Sequence, residues 1–114
     1  MDKVKKYQEI LVGLLQEYAV FLAGSNSPVK PQVIADREGN HFQLMKSGWD
    51  AVSQRFVFGI LFHFDIIEGK IWLQLNNTEF YIADELEERG VPKSDIVLGF
   101  QPPVARQERE LAVA

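Results

Sequence analysis

Between Pro31 and Asn76 apolar and polar residues alternate with a period of two, and a Glu68-Gly69 pair sits inside that stretch. Alternation broken by a glycine-containing pair is the signature of a β-hairpin, because Gly supplies the positive φ a two-residue loop needs. With such a loop, Ile66 faces Ile71, Phe64 faces Leu73 and Phe62 faces Leu75 on one side of the sheet. On the other side Asp65 faces Trp72 and His63 faces Gln74. A slip of one residue would scatter the apolar set over both faces, so the register is tightly specified. The same alternation predicts four strands near 32–38, 41–49, 54–67 and 70–76. Glu38-Gly39-Asn40 and Asp50 to Ser53 make the first two turns. The third strand carries Phe56, Phe58, Ile60, Phe62, Phe64 and Ile66 at one parity, a continuous apolar face for a helix to cover.

That helix comes first in the chain. Val4, Tyr7, Leu11, Leu14, Leu15, Tyr18 and Leu22 recur at steps of three and four, with polar residues between them, which is the pattern of an amphipathic helix on a core. Asp2 is placed to cap its N-terminus, and the cluster from Gly24 to Pro28 ends it. A second helix is expected from about Glu79 to Arg89, capped by Thr78, with Ile82 and Leu86 inward. Gly90 suits the position just past its end and Pro92 prevents its resumption. Ile96 to Phe100 reads as a short strand or extended segment, and Pro102-Pro103 breaks it. The expected architecture is a single α+β domain over residues 1–114: a long N-terminal helix packed on a largely antiparallel four- to five-stranded meander, with a second helix after the fourth strand.

Composition narrows the chemistry. The chain has 114 residues, 46% hydrophobic, with a net charge of -4 and no cysteine. A domain of this size buries roughly two-thirds of its unfolded surface, enough for a core without disulfides. Thiolate metal sites and cysteine nucleophiles are excluded. The longest apolar stretch, Phe56 to Phe62, is far short of the roughly 20 residues of a spanning helix, so a soluble, cytoplasmic protein is expected. No Gly-x-Ser-x-Gly elbow, phosphate-binding Gly-x4-Gly-Lys, Gly-x-Gly-x-x-Gly or His-Glu-x-x-His occurs, and the reading assigns no catalytic residue and no cofactor.

Three candidate surfaces remain. His63 and Asp65 share one face of the third strand, and parity puts His41 on that face of the second. A five-residue connection would place His41 directly opposite His63. Two imidazoles and a carboxylate are a mononuclear metal-ligand set, whose alternative is an ordinary polar ladder on a sheet surface. Gln43, Met45, Trp49, Trp72 and Gln74 accompany them. This mixture of aromatic and polar residues suits a protein contact, either with a second copy or with another protein, unless the C-terminal segment or second helix folds over it. Finally, residues 79–95 hold six acids, including Asp84, Glu85, Glu87 and Glu88, against two bases. The rest of the chain balances at ten of each, so the whole net charge sits on one segment. That segment is either a solvated helix face or a handle for a basic partner. Direct duplex binding is disfavoured, because Lys3, Lys5 and Lys6 form the sole basic cluster.

Several stretches together resemble a known family: Gly48-Trp49, Phe62-His63-Phe64-Asp65-Ile66, Gly69-Lys70-Ile71-Trp72-Leu73-Gln74, Ile82-Ala83-Asp84-Glu85-Leu86 and the string Gly90 to Phe100, with Pro102-Pro103, Arg106 and Ala112-Val113-Ala114. The chain resembles the XisI family, the fdxN element excision controlling factors of cyanobacteria, from its first helix to its last residue. Leu111 stands where the family usually has an aromatic. The resemblance implies an α+β fold of this length. It also implies an accessory, non-enzymatic role in site-specific excision of a DNA element during heterocyst differentiation, where a separate recombinase cuts and joins the DNA. The implied partner is that recombinase or a nuclease-like companion, XisH. Two alternatives stand beside it: an antidote-type regulator of a neighbouring nuclease, and a small metal-dependent enzyme using His41, His63 and Asp65.

Overall fold

A computed structural model of the protein describes residues 2–24, 27–107 and 111–112, the side chains of 106 and 107 excepted. Ser25 and Asn26 of the expected helix stop, the Arg106 side chain, and Val113 and Ala114 lie outside the described residues. The elements run α1 (Lys3–Ala23), β1 (Lys30–Asp36), β2 (His41–Trp49), β3 (Phe56–Ile67), β4 (Lys70–Asn76), α2 (Ile82–Glu88), a 3-10 turn (Lys93–Asp95), β5 (Ile96–Leu98) and α3 (Pro103–Gln107). Strands β1 to β5 form one sheet in sequence order. The first three pairings are antiparallel, and β5 returns parallel to β4 after α2. This is the α+β arrangement expected from the pattern, with the fifth strand realised.

Helix α1 begins where its cap dictates: Asp2 Oδ1 accepts the Val4 N–H at 3.0 Å, satisfying one of the free amides of the first turn. Tyr7, Leu11, Leu14 and Leu15 are buried along one stripe. They pack on Phe42, Leu44, Phe62, Phe64, Ile66, Ile71 and Leu73 from the sheet, and Ile82 and Leu86 of α2 join the same cluster. Both long helical contacts therefore lie on one side of the sheet. Tyr7 donates its hydroxyl to Asp95, and Lys3 approaches that carboxylate at 3.3 Å. Burial, then the hydrogen bond and charge of Asp95, push the Tyr7 phenol well above its usual range. Towards the β1 edge of the sheet, Gln8 Nε2 donates to the Arg37 carbonyl at 2.9 Å and Asn40 Oδ1 at 2.6 Å, clipping the β1–β2 turn to the helix. Leu111 is partly buried against the core.

The hairpin loop is as expected, with Glu68 at φ 52° and Gly69 at φ 76°, the two left-handed residues whose twist matches the flanking strands. Ile66–Ile71, Asp65–Trp72 and Phe64–Leu73 pair as predicted. Beyond them the register changes: His63 pairs with Leu75 and Phe62 with Asn76, not with Gln74 and Leu75. Gln74 is thus an extra residue on β4, a β-bulge.

A second bulge has larger consequences. Leu44 pairs with Phe62 but Met45 pairs with Ile60, leaving Leu61 as an extra residue on β3. An inserted residue reverses the alternation beyond it. Phe62, Phe64 and Ile66 face α1, whereas Ile60, Phe58 and Phe56 come opposite Met45, Ser47 and Trp49 and point away from it. Leu61 and Leu22 then pack on the core side. The expected six-residue apolar face is therefore split between the two sides of the sheet. Phe62 and Phe64 are 0% exposed, while Phe56 and Phe58 are 55% and 68% exposed.

Three boundaries also move. β1 spans 30–36 rather than 32–38, because Asp36 Oδ1 takes the Gly39 N–H at 2.9 Å and starts the turn early. The β2–β3 connection has residues 50–55 and is closed by backbone bonds from Asp50 to Arg55 and Gln54 to Asp50, each 2.8 Å. α2 starts at Ile82, not Glu79, and Tyr81 rather than Thr78 precedes it. Asn76 Oδ1 accepts from the Thr78 N–H and hydroxyl at 3.0 and 2.6 Å, while Thr78 Oγ1 accepts the Phe80 N–H at 3.2 Å. These side-chain bonds offer the backbone an alternative to the helix and hold it in a turn.

Candidate functional site

The face turned away from α1 carries the chemistry. His41 lies at the start of β2 opposite Asp65, and not opposite His63 as a five-residue connection would have it. The connection has six residues, 50–55, and the extra Leu61 adds one more, so the pairing shifts by two and His63 faces Gln43 instead. The three residues still meet. His41 Nδ1 is 2.6 Å and His63 Nε2 2.8 Å from the same oxygen, Asp65 Oδ1. The other partners are fixed in turn: His63 Nδ1 lies 3.0 Å from Gln43 Oε1, and Gln74 Nε2 donates to Asp65 Oδ2 at 3.2 Å. The Asp65 side chain is 17% exposed, His63 25% and His41 57%. Backbone pairing sets this geometry, since all of these residues sit on β2, β3 and β4.

Burial pushes the Asp65 carboxyl upward, but hydrogen bonds from His41, His63 and Gln74 outweigh it and hold the group below its usual range. The hydrogen bond to Asp65, with smaller help from the charges of Asp65 and Asp36, raises His41 above an ordinary histidine. The lowered carboxyl contributes stability above its unfolded value of about 3.9, lost as pH falls through the folded one. The raised imidazole contributes fully below about 6.5, lost as pH rises through its folded value. The pair is thus fully effective between about pH 4 and 6.5. In chelator-treated protein, the His41 ring resonances should titrate above those of an unperturbed histidine. Asp65→Asn should bring the midpoint back down; an unchanged midpoint would show that the two groups are not coupled.

At the other end of β2 and β3, on the same face, runs an aromatic strip. Trp49 and Phe56 have ring centroids 5.4 Å apart, and Phe56 and Phe58 stack at 6.3 Å and 22°. Trp49 is 64% exposed, and Ile34 and Ile67 on the same face are 43% and 41% exposed. The chain at Gly99 lies against Trp72 and Gln74, so the β4–β5 end of the face is covered and both residues are half-buried. Among the described residues, nothing covers Trp49, Phe56 or Phe58.

The acidic residues are elsewhere. α2 packs on the α1 side through Ile82 and Leu86, so Asp84, Glu85, Glu87 and Glu88 do not share a surface with Trp49. Glu85 is drawn towards Arg89 at 3.9 Å, and Arg89 also pairs with Glu17. Glu85 is the leading charge that, after burial, raises the Tyr18 phenol. Asp84 and Glu88 are exposed. Phe56 and Phe58 are the surface residues that strict alternation misplaces. Gly59 within the strand, followed by Leu61-Phe62 with both residues apolar, is the local signal of a bulge there.

The model for XisI protein matches residues 1–113. The chain belongs to the XisI family. A XisI-like protein from Anabaena variabilis is 43% identical, with a TM-score of 0.87 over 97% of this chain and 99% of that one. A second solved structure, the fdxN element excision controlling factor XisI from Anabaena variabilis, is 29% identical with a TM-score of 0.83 over 99% of this chain and 100% of that one. No curated protein matches the chain. The likeness to both XisI structures covers the sheet as well as the helices. Among the described residues, no helix is long and apolar enough to cross a membrane.

Proposed function

We propose that this XisI-family chain is an accessory factor in site-specific DNA excision during heterocyst differentiation, and that it acts by holding a nuclease-like companion of the XisH type on the open face of its sheet. The observation that carries this reading is the exposed Trp49–Phe56–Phe58 strip. Isolated exposed apolar residues are ordinary, but a contiguous aromatic run beside polar side chains marks a contact surface. Large aromatic side chains dominate binding energy at such surfaces. The controlling-factor name of the related Anabaena structure supports a role exercised through excision machinery. The acidic α2, on the opposite side of the molecule, is available to a different partner or to solvent.

The test is binding of the purified chain to its XisH-like companion, with Trp49→Asp and Phe58→Asp as probes. Each should weaken the complex by about tenfold to a hundredfold, as loss of a central aromatic anchor does. A complex indifferent to both substitutions would refute the docking face. If the same substitutions instead dissociated a homodimer and left the companion bound, the face would belong to a second copy of the chain.

A further inference from the structure

We propose that His41, His63 and Asp65 form a binding site for one divalent transition-metal ion, with His41 Nδ1, His63 Nε2 and Asp65 Oδ1 as ligands. The three ligand atoms lie within 4.8 Å of one another. A tetrahedral ion with bonds of about 2.0–2.1 Å holds its ligands about 3.3 Å apart. Asp65 Oδ1 lies 2.6 and 2.8 Å from the two ring nitrogens, so the gaps open by about 0.7 and 0.5 Å to admit the ion.

The residues behind the ligands are those a metal site needs. A ligating imidazole is normally held through its second nitrogen, which fixes the ring and selects the free lone pair. Gln43 Oε1 takes that place at His63 Nδ1, 3.0 Å away, so Nε2 is the atom aimed at Asp65. Gln74 Nε2 does the same for the carboxylate, donating to Oδ2 and leaving Oδ1 on the ligand side. Asp36 pairs with His41 from β1 and adds a second negative charge on this face. The ligands belong to neighbouring strands of one sheet, which holds a constellation more firmly than loops do. His41 is 57% exposed, so the open side of the cluster meets solvent and leaves room for water or an external ligand.

The donor set identifies the class of ion. Calcium and magnesium take oxygen donors, whereas two imidazoles with one carboxylate suit zinc and its first-row neighbours. This site stands apart from the proposed docking role, since it rests on the polar cluster and not on the Trp49 strip.

The probe is Zn2+ added to the full chain after chelator stripping, followed by calorimetry and by the His41 and His63 ring resonances. The expected result is saturable uptake of one ion per chain that perturbs both rings. His41→Ala and Asp65→Asn should each weaken uptake at least about tenfold, and Gln43→Ala by about tenfold through loss of the group holding His63. His41 is exposed, so its substitution leaves the core intact and keeps the test readable. Co2+ should give the visible absorption of a nitrogen- and oxygen-ligated ion in the same stoichiometry. Absence of saturable uptake, or an affinity unchanged in either His41→Ala or Asp65→Asn, would overturn the proposal.

Discussion

Phe62→Ala is expected to lower stability by about 3–5 kcal/mol, the usual cost of emptying a buried phenylalanine site, while Phe58→Ala costs under about 1 kcal/mol. The two residues are four apart on one strand, and simple alternation would give them the same fate. They differ because Leu61 is inserted between them in the pairing with β2. Phe62 is 0% exposed and touches Tyr18 of α1, with ring centroids 5.3 Å apart. Phe58 is 68% exposed and loses only its stack on Phe56. A domain of this kind is stable by about 5–15 kcal/mol, so Phe62→Ala removes a large share and lowers the melting temperature by on the order of 10–25 °C. Urea denaturation of the two variants is the measurement. Equal losses would mean that β3 runs without the bulge and that Phe58 belongs to the core.

Gly48→Ala should be the most damaging conservative change on the surface of the sheet, at about 2–4 kcal/mol. Gly48 has φ 145°, a conformation in which an L side chain is strained. An added Cβ would also press on the backbone of Pro28 and Val29, meeting the Val29 Cα at 2.9 Å. Backbone cannot swing aside as a flexible side chain can, so the segment entering β1 must move. Gly13 is the control, since a Cβ there meets nothing within 4 Å. In the interior of α1, Gly13→Ala should therefore stabilise by about 0.5–1 kcal/mol. Opposite signs for the two variants are the expected result, and wild-type stability for Gly48→Ala would count against the close approach of the two segments.

The polar cluster shows how far sequence reading reaches. Parity alone placed His41, His63 and Asp65 on one face, and they are there. Their order was not legible, because it depends on the exact pairing of β2 and β3: a six-residue connection and the bulge, one residue each, together replaced a His41–His63 pair by His41–Asp65. Gln43 and Gln74 were visible on the same face, but only coordinates show that each holds one of the candidate ligands. The start of α2 was misplaced for a different reason. Thr78 is a good cap by type, yet its hydroxyl is engaged with Asn76 and Phe80, a local competition that residue preference does not resolve.

By itself the sequence determined the local elements: the amphipathic α1, the alternating strands, the Glu68-Gly69 loop and the acidic segment that holds the net charge. These follow from the spacing of apolar residues and the turn chemistry, which act over a few positions. The tertiary structure alone decided which side of the sheet each residue of β3 serves. That choice turns on where two strands accommodate an extra residue, and it is set by the packing of Phe62 and Phe64 under α1 at one end and the Asp50–Arg55 loop at the other. Strand alternation says that neighbours point opposite ways. Only long-range pairing fixes which way each one points, and here it turned half of an expected core face into an exposed aromatic surface.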